Sequence, residues 1–292
     1  MNLKPIAEHI GKARGETFVP GRPIVIRGGC INRAIKLSDN RQSYFIKLND
    51  AHRLDMFEAE RDGLDALAAT QAIRVPQLLC CGVAEGQAYL VMEHIEMGPA
   101  RLNSEREAGE QLAAIHRHSA DSFGWRRDNV IGLTQQKNRC TGEWTEFWTD
   151  QRLGYQLALA ASNGYGGRLQ SQGEKLLELL PVLLNHSPLP SLLHGDLWRG
   201  NMAYDLKGHP VIYDPAVYYG DREADLAMTE LFGGFSADFY AAYCDHWPLD
   251  LGYQTRKTLY NLYHILNHLN LFGAGYLSQS QSMIDRLCAE PG

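Results

Sequence analysis

The sequence predicts an α+β protein in two lobes: a small β-rich lobe over residues 1–93 and a larger, mainly helical lobe over 94–292. Three observations predict it. Strand-like hydrophobic runs dominate the chain up to Met92. Helical periodicity dominates the remainder of the chain. A short β section at 191–214 interrupts the helices and carries the densest cluster of chemically capable side chains.

The chain begins with an amphipathic segment that carries Glu8, His9, Lys12 and Arg14. Ile24, Val25 and Ile26 read as a strand that ends at Gly28 and Gly29. Ala34 to Leu37 form a second strand, and Tyr44 to Leu48 a third that includes Lys47. Residues 53–69 switch to a helical period, with Leu54, Phe57, Leu64, Leu67 and Ala68 on one broad face. Leu78 to Val83 and Gln87 to Met92 read as two more strands around a turn at Glu85 and Gly86. A linker near Glu93 to Met97 separates the lobes. Ser104 to His118 reads as a helix, with Ser104 and Glu107 at the spacing of a capping box. Helices are also expected over 143–161, 172–184, 222–232, 236–246 and 254–276.

Composition narrows the function classes. The chain has 292 residues, 45% hydrophobic and 21% charged, which describes an ordinary globular protein. A formal net charge of −6 weighs against nucleic-acid binding. No apolar run approaches the roughly 20 residues of a membrane span, so no membrane partner is expected. The N-terminus lacks the apolar core of an export signal. The six cysteines form no C-x-x-C pair. Reduced thiols and a cytoplasmic location are the expectation.

The chemistry concentrates in His194-Gly195-Asp196-Leu197-Trp198-Arg199-Gly200-Asn201, followed by Asp214 at the end of the run from Pro210. A phosphotransferase needs three oxygen groups at one point. One carboxylate takes the proton of the attacking hydroxyl; an amide oxygen and a second carboxylate hold the magnesium that bridges the nucleotide phosphates. Asp196 is the candidate base, and Asn201 and Asp214 the candidate metal ligands. The competing reading makes Asp196 a turn aspartate. Lys47 is placed to meet the α- and β-phosphates of ATP. Glu58 and Glu60 are both available to steady it, and Glu60 has the better helical phase. Gly28, Gly29 and Cys30 occupy the first hairpin turn, where glycines let backbone N–H groups approach phosphates. A plain turn would look the same. Glu93 and Ile95 are the expected backbone contacts for adenine. This β-lobe, linker and helical lobe outline a bilobal, protein-kinase-like fold. No G-x-G-x-x-G or Walker A sequence is present. A protein kinase is also disfavoured by the lack of Asp-Phe-Gly and Ala-Pro-Glu motifs.

The chain resembles the fructosamine kinase family, a branch of the aminoglycoside phosphotransferase-like kinases. The resemblance rests on the His194–Asn201 loop with its tryptophan and on Asp214-Pro215-Ala216. It rests also on Gly28 to Asn32, on Tyr219 to Thr229, on Leu231 to Gly234 and on Leu262 to Gly273. It implies ATP-dependent phosphorylation of a ketosamine, small or protein-bound, on the third hydroxyl of the sugar. The phosphorylated adduct then eliminates and frees the amine. Trp198, Asp221 and His264 are the candidate substrate residues. Trp198 offers a flat face to a sugar or an amine, or else braces the loop. Asp221 meets an ammonium or starts a helix. Glu223 reads as a first-turn acid, and Asp225 as a clamp on the catalytic-loop backbone. The nearest rival is another small-molecule kinase of this fold, acting on an aminoglycoside, choline or homoserine. A non-catalytic nucleotide-binding regulator is the rival from another class. The chain is expected to be a monomer, or a dimer linked through Cys30.

Overall fold

The computed structural model describes residues 2–27 and 31–290. The first lobe is built on one antiparallel sheet. Its strands are β1 (Ile24–Ile26), β2 (Arg33–Ser38), β3 (Ser43–Asp50), β4 (Leu78–Ala84) and β5 (Gln87–Glu93). Their order across the sheet is β1-β2-β3-β5-β4. Side chains alternate along β3, and the alternation decides the function of each face. Tyr44, Ile46 and Leu48 pack beneath helix α1 (Lys4–Arg14) with Ile6, Ile10 and Phe18. Phe45 and Lys47 therefore point to the opposite face. That face carries helix α2 (Leu54–Ala69), whose Phe57, Leu64 and Leu67 bury against Leu90 and Met92.

The N-terminal segment is helical, an element that a strand-dominated reading of 1–93 leaves out. Its apolar positions Ile6, Ala7 and Ile10 recur at helical spacing and are buried. Gly15 ends it at φ 74°, donating its N–H to the last-turn carbonyls.

The chain crosses to the second lobe through β6 (Met97–Gly98), which pairs with β10 (Met202–Asp205); β10 in turn pairs with β11 (Pro210–Ile212). The Arg74 carbonyl of the first lobe accepts the Ile212 N–H at 3.1 Å, a second tie between the lobes. Helix α3 (Ser104–His116) starts as expected, but not by a capping box. Ser104 Oγ accepts the Arg101 N–H and donates to Gly208 O, while Glu107 holds Gln111 and His209. Tertiary partners have taken both side chains away from the helix end.

A hairpin, β7 (Asn129–Ile131) and β8 (Thr134–Gln136), comes next; it is too short to announce itself by alternation. The expected helix at 143–161 is one helical run in three parts. Helices α4 (Trp144–Trp148) and α5 (Gly154–Ser162) flank a π turn, Thr149–Leu153. After α6 (Arg168–Leu183) comes the central pair of strands, β9 (Ser191–Leu193) and β12 (Tyr218–Gly220). Helices α7 (Arg222–Leu231), α8 (Ala237–His246), α9 (Tyr253–Phe272) and α10 (Leu277–Ala289) complete the lobe. Gly273, at φ 92°, stops α9 short of the expected residue 276. Helix α10 is not among the elements expected from the sequence; it packs on α6 and α9 through Ile284 and Leu287.

Candidate active site

The loop from His194 to Asn201 leaves the buried strand β9 and is held from behind by one carboxylate. Asp225, in the first turn of α7, accepts the His194 N–H at 2.7 Å and the Gly195 N–H at 2.8 Å. His116 of α3 buttresses it at 3.2 Å and is itself bonded to Tyr243. Asp225 is thus the backbone clamp expected from the sequence; His116 has no signal of its own in the sequence. Gly195 turns the chain at φ 81°, where a Cβ would lie 2.1 Å from Ala216 O. Only glycine meets both demands. The His194 ring is buried. Its Nε2 faces Tyr213 O at 3.0 Å, so that nitrogen carries the proton, and Nδ1 accepts the Asp196 N–H at 3.3 Å. Burial lowers its pKa, so the ring is a neutral strut.

Asp196 and Asn201 face each other across the loop. Asn201 Nδ2 donates to Asp196 O at 2.8 Å and to Asp196 Oδ2 at 3.0 Å. Desolvation pushes the Asp196 carboxyl well above the usual carboxylate range; the Asn201 bond opposes this, and the charges of Asp214 and Asp225 add to it. Asp214 sits at φ 58°, a left-handed conformation that a non-glycine residue holds at a strain of about 1–3 kcal/mol. The neighbouring backbone is pinned. Tyr213 N–H donates to Asn201 O at 3.1 Å and Ala216 N–H to His194 O at 2.8 Å.

Lys47 reaches this point from the sheet of the first lobe. Its Nζ lies 2.6 Å from Glu60 Oε1 and 2.6 Å from Asp214 Oδ1. Burial alone would lower its pKa, but the two carboxylates outweigh burial and raise it. Burial pushes Glu60 upward too, against the pull of the lysine. With two carboxylates on one ammonium, the charged lysine is the state that the geometry supports. Glu58, the other candidate on α2, lies 3.7 Å from Arg127 instead.

A β-sheet lysine, its helix glutamate, a catalytic-loop aspartate–asparagine pair and a strained aspartate thus meet between two lobes. The model of the family described as fructosamine kinase matches residues 2–290. This chain belongs to the fructosamine kinase family. It is an ATP-using kinase with a hydroxyl group as acceptor, in a protein-kinase-like fold. A "probable ketoamine kinase" of Synechocystis sp. is 49% identical over 280 residues, 96% of this chain and 94% of that protein. A chloroplastic protein-ribulosamine 3-kinase of Arabidopsis thaliana is 42% identical over 292 residues, 98% of this chain and 88% of that protein. Among solved structures, a "putative fructosamine-3-kinase" of Haemophilus somnus superposes with a TM-score of 0.90 at 29% identity, covering 97% of this chain and 96% of that one.

The remaining candidates of this family member divide. Trp198 is 37% exposed beside the loop, edge-on to Phe232 at 5.8 Å. Phe232 stacks on His268, which contacts Phe272 and Tyr276. The sequence places His268 with His264 and Asn267 on one helical face toward the cleft, and Phe272 and Tyr276 continue from it at four-residue spacing; the contact with Phe232, 36 residues earlier and just past α7, has no local signal. His264 is buried close enough to Asp225 to feel its charge. Desolvation, then the neighbouring His268, lowers its pKa to about 3, so it is neutral. Glu93 N–H is already given to Gln77 O at 2.7 Å and cannot serve adenine; of its backbone only the carbonyl remains. Ile95 N–H has no hydrogen-bond partner among the described residues. Gly28, Gly29 and Cys30 lie outside the described residues.

Asp221 requires correction as a substrate residue. Gly220 pairs with Ser191 and Tyr218 with Leu193, so Asp221 lies at the end of the β9–β12 ladder away from Asp196. It caps α7 by accepting the Glu223 N–H at 3.0 Å and is buried against His186 and Tyr260. Glu223 is likewise more than a first-turn acid. It forms a buried two-bond ion pair with Arg256, at 2.6 and 2.8 Å. His186, Asp221 and Glu223 could each bring a ligand atom within 4.8 Å of the others; in this structure His186 Nε2 and both carboxylates are bonded to protein partners. Among the described residues no helix is long and apolar enough to cross a membrane.

Proposed function

We infer that this kinase transfers the γ-phosphoryl group of ATP to the third hydroxyl of a ketosamine, small or protein-bound. The observation that carries the residue roles is the meeting of Asp196, Asn201, Asp214 and the Lys47–Glu60 pair at one cleft. Asp196 orients the sugar hydroxyl and accepts its proton; its raised pKa suits it to hold that proton once transferred. Lys47 meets the α- and β-phosphates, held in place by Glu60. Glu93 O and Ile95 N–H receive adenine, and Gly28, Gly29 and Cys30 are the proposed phosphate contacts. Trp198 gives the ketosamine a flat face, and neutral His264 lines its pocket.

A magnesium ion fits the donor set. Asn201 commits its amide nitrogen to Asp196, which leaves Oδ1 available, and Asp214 commits only Oδ1 to Lys47. Two hard oxygens are the usual protein share for magnesium in such sites, the rest being water and phosphate. Bound there, the ion supplies neutralising charge to the phosphates. We place the enzyme in the cytoplasm, where Cys80, Cys81, Cys140, Cys244 and Cys288 would keep the free state they have. Phosphorylated adducts eliminate readily, so the proposed role is deglycation.

The test is ATP consumption against ribulose-, erythrulose- and fructose-amine adducts beside aminoglycosides and choline. ADP release is expected only with the ketosamines, with phosphate at the third hydroxyl. Release with an aminoglycoside or choline alone would overturn the substrate assignment.

A further inference from the structure

A buried layer lies behind Asp214 that the proposed chemistry does not use. Hairpin β7–β8 sends two amides inward, Asn129 and Gln136, and both are buried. Asn129 Nδ2 donates to Val217 O at 2.8 Å. Gln136 Nε2 donates to Ala216 O at 3.0 Å and to Asn129 Oδ1 at 2.8 Å. The other ends are committed as well. Tyr263 OH donates to Gln136 Oε1 at 2.8 Å, and Asn138 Nδ2 to Asn129 Oδ1 at 2.9 Å. Arg152, in the π turn, closes the chain by donating to Asn138 Oδ1 at 2.8 Å. It is fully buried, 4.0 Å over the Tyr218 ring, with no carboxylate partner among the described residues. Carbonyl oxygens accept only, so each amide must turn its N–H to residues 216 and 217. The network therefore has one orientation.

Those two carbonyls stand two and three residues beyond Asp214. A left-handed aspartate persists only where its surroundings over-determine the backbone. The bonds from Tyr213 and Ala216 fix the loop through their N–H groups; the hairpin amides fix it through its carbonyls. Tyr263 lies beside His264, so the same network also reaches the helix proposed to line the substrate pocket.

We propose that Asn129 and Gln136 are positioning residues for the metal site, holding Pro215 to Val217 so that Asp214 keeps its turn and its place beside Lys47. This rests on Asp214 being a magnesium ligand. Neither amide touches the reacting atoms. Their effect passes through the backbone.

The test is calorimetry of ATP binding in magnesium and in EDTA, with Asp214→Ala as the reference. Gln136→Met keeps length and apolar bulk and removes every hydrogen bond of the amide. Partners behind metal ligands typically change metal affinity by about 10–100-fold when lost. The expected result is a drop of about tenfold in ATP affinity in magnesium, with affinity in EDTA unchanged. Equal changes in both conditions, or none, would overturn the proposal. Should Gln136→Met fail to fold by thermal melting, Tyr263→Phe removes only the hydroxyl that orients Gln136. It should lower affinity in magnesium alone, by about threefold; no such split would again overturn the proposal. If Asp214→Ala itself keeps full magnesium dependence, the metal-ligand reading has failed. If Asp214→Ala loses it and Gln136→Met keeps it, only the positioning role has failed.

Discussion

Two acidic clusters sit at opposite ends of the β9–β12 ladder, and they are finished differently. At one end Asp196 has a single side-chain donor, Asn201, and desolvation holds its carboxyl well above the usual range. Asp214 beside it is 47% exposed and bonded through one oxygen. At the other end Asp221 accepts from Glu223 N–H, His186 and Tyr260. Burial alone would raise its pKa, yet these donors hold it low. Glu223 is matched by a buried arginine through two bonds. Carboxylates saturated in this way, with a strong donor already on each oxygen, do not readily take a reactant's proton or a metal ion. Unsaturated ones do, and they stay only where function compensates the desolvation.

The sharpest way to break this comparison is Asp196→Asn. Turnover on a verified ketosamine should fall by about two to four decades, with ATP binding retained. Stability should move the other way. A carboxyl whose folded pKa lies above its unfolded value destabilises the fold increasingly as pH rises from about 3.9 through the folded value. Its removal should leave the melting temperature at pH 7 equal or higher. Near-normal turnover, or a large loss of stability, would place Asp196 in the structural class.

Arg256→Ala probes the opposite end. It strands Glu223 in a buried site, and loss of one partner of such a pair destabilises by about 3–5 kcal/mol. Activity per folded molecule should survive. A stable variant with lost turnover would mean that the cluster belongs to the chemistry after all.

A pH titration of stability is the finer test. Asp221 has a lowered folded pKa, so its contribution is present above about pH 3.9 and lost as pH falls through the folded value. Asp221→Asn should therefore flatten the acid limb of the stability curve, whereas Asp196→Asn should not. Identical acid limbs in wild type and Asp221→Asn would remove the linkage. His264, with a pKa of about 3, should add no step to activity between pH 5 and 8.

The legibility of this division in the sequence is itself a matter of physics. The spacing of Asp196, Asn201 and Asp214 is local, and so is the alternation that turns Lys47 away from α1; both can be read directly. Lys47 and Glu60 can be matched because strand and helix phase limit the choices. Asp221 is misplaced by sequence reasoning because saturation is a tertiary property. Its donors His186 and Tyr260 stand 35 and 39 residues away, and nothing in the local pattern marks them. The amides of β7–β8 are hidden for the same reason: Gln136 meets its backbone partner 80 residues on. Helix α10 is masked although its apolar spacing is regular, because the helical pattern of α9 reads as continuing to the residue before it.

Trp198 gives the smallest expected effect and tests the comparison at its margin, since an aromatic ring can be a platform or a brace. It lies three residues before Asn201 and two after Asp196, over Gly200, where a Cβ would come within 2.3 Å of the indole. The glycine is there for that close approach. On one side the ring meets Phe232 edge-on, and over a third of its surface is open. A brace would be closed on both faces. A platform keeps one face free for the sugar or its amine. Trp198→Ala should therefore raise the ketosamine KM about tenfold, a stacking-sized effect of about 1.4 kcal/mol, and leave the KM for ATP unchanged. Should the variant instead lose stability while its ketosamine KM holds, the open face is incidental and Trp198 joins Asp225 as support for the loop.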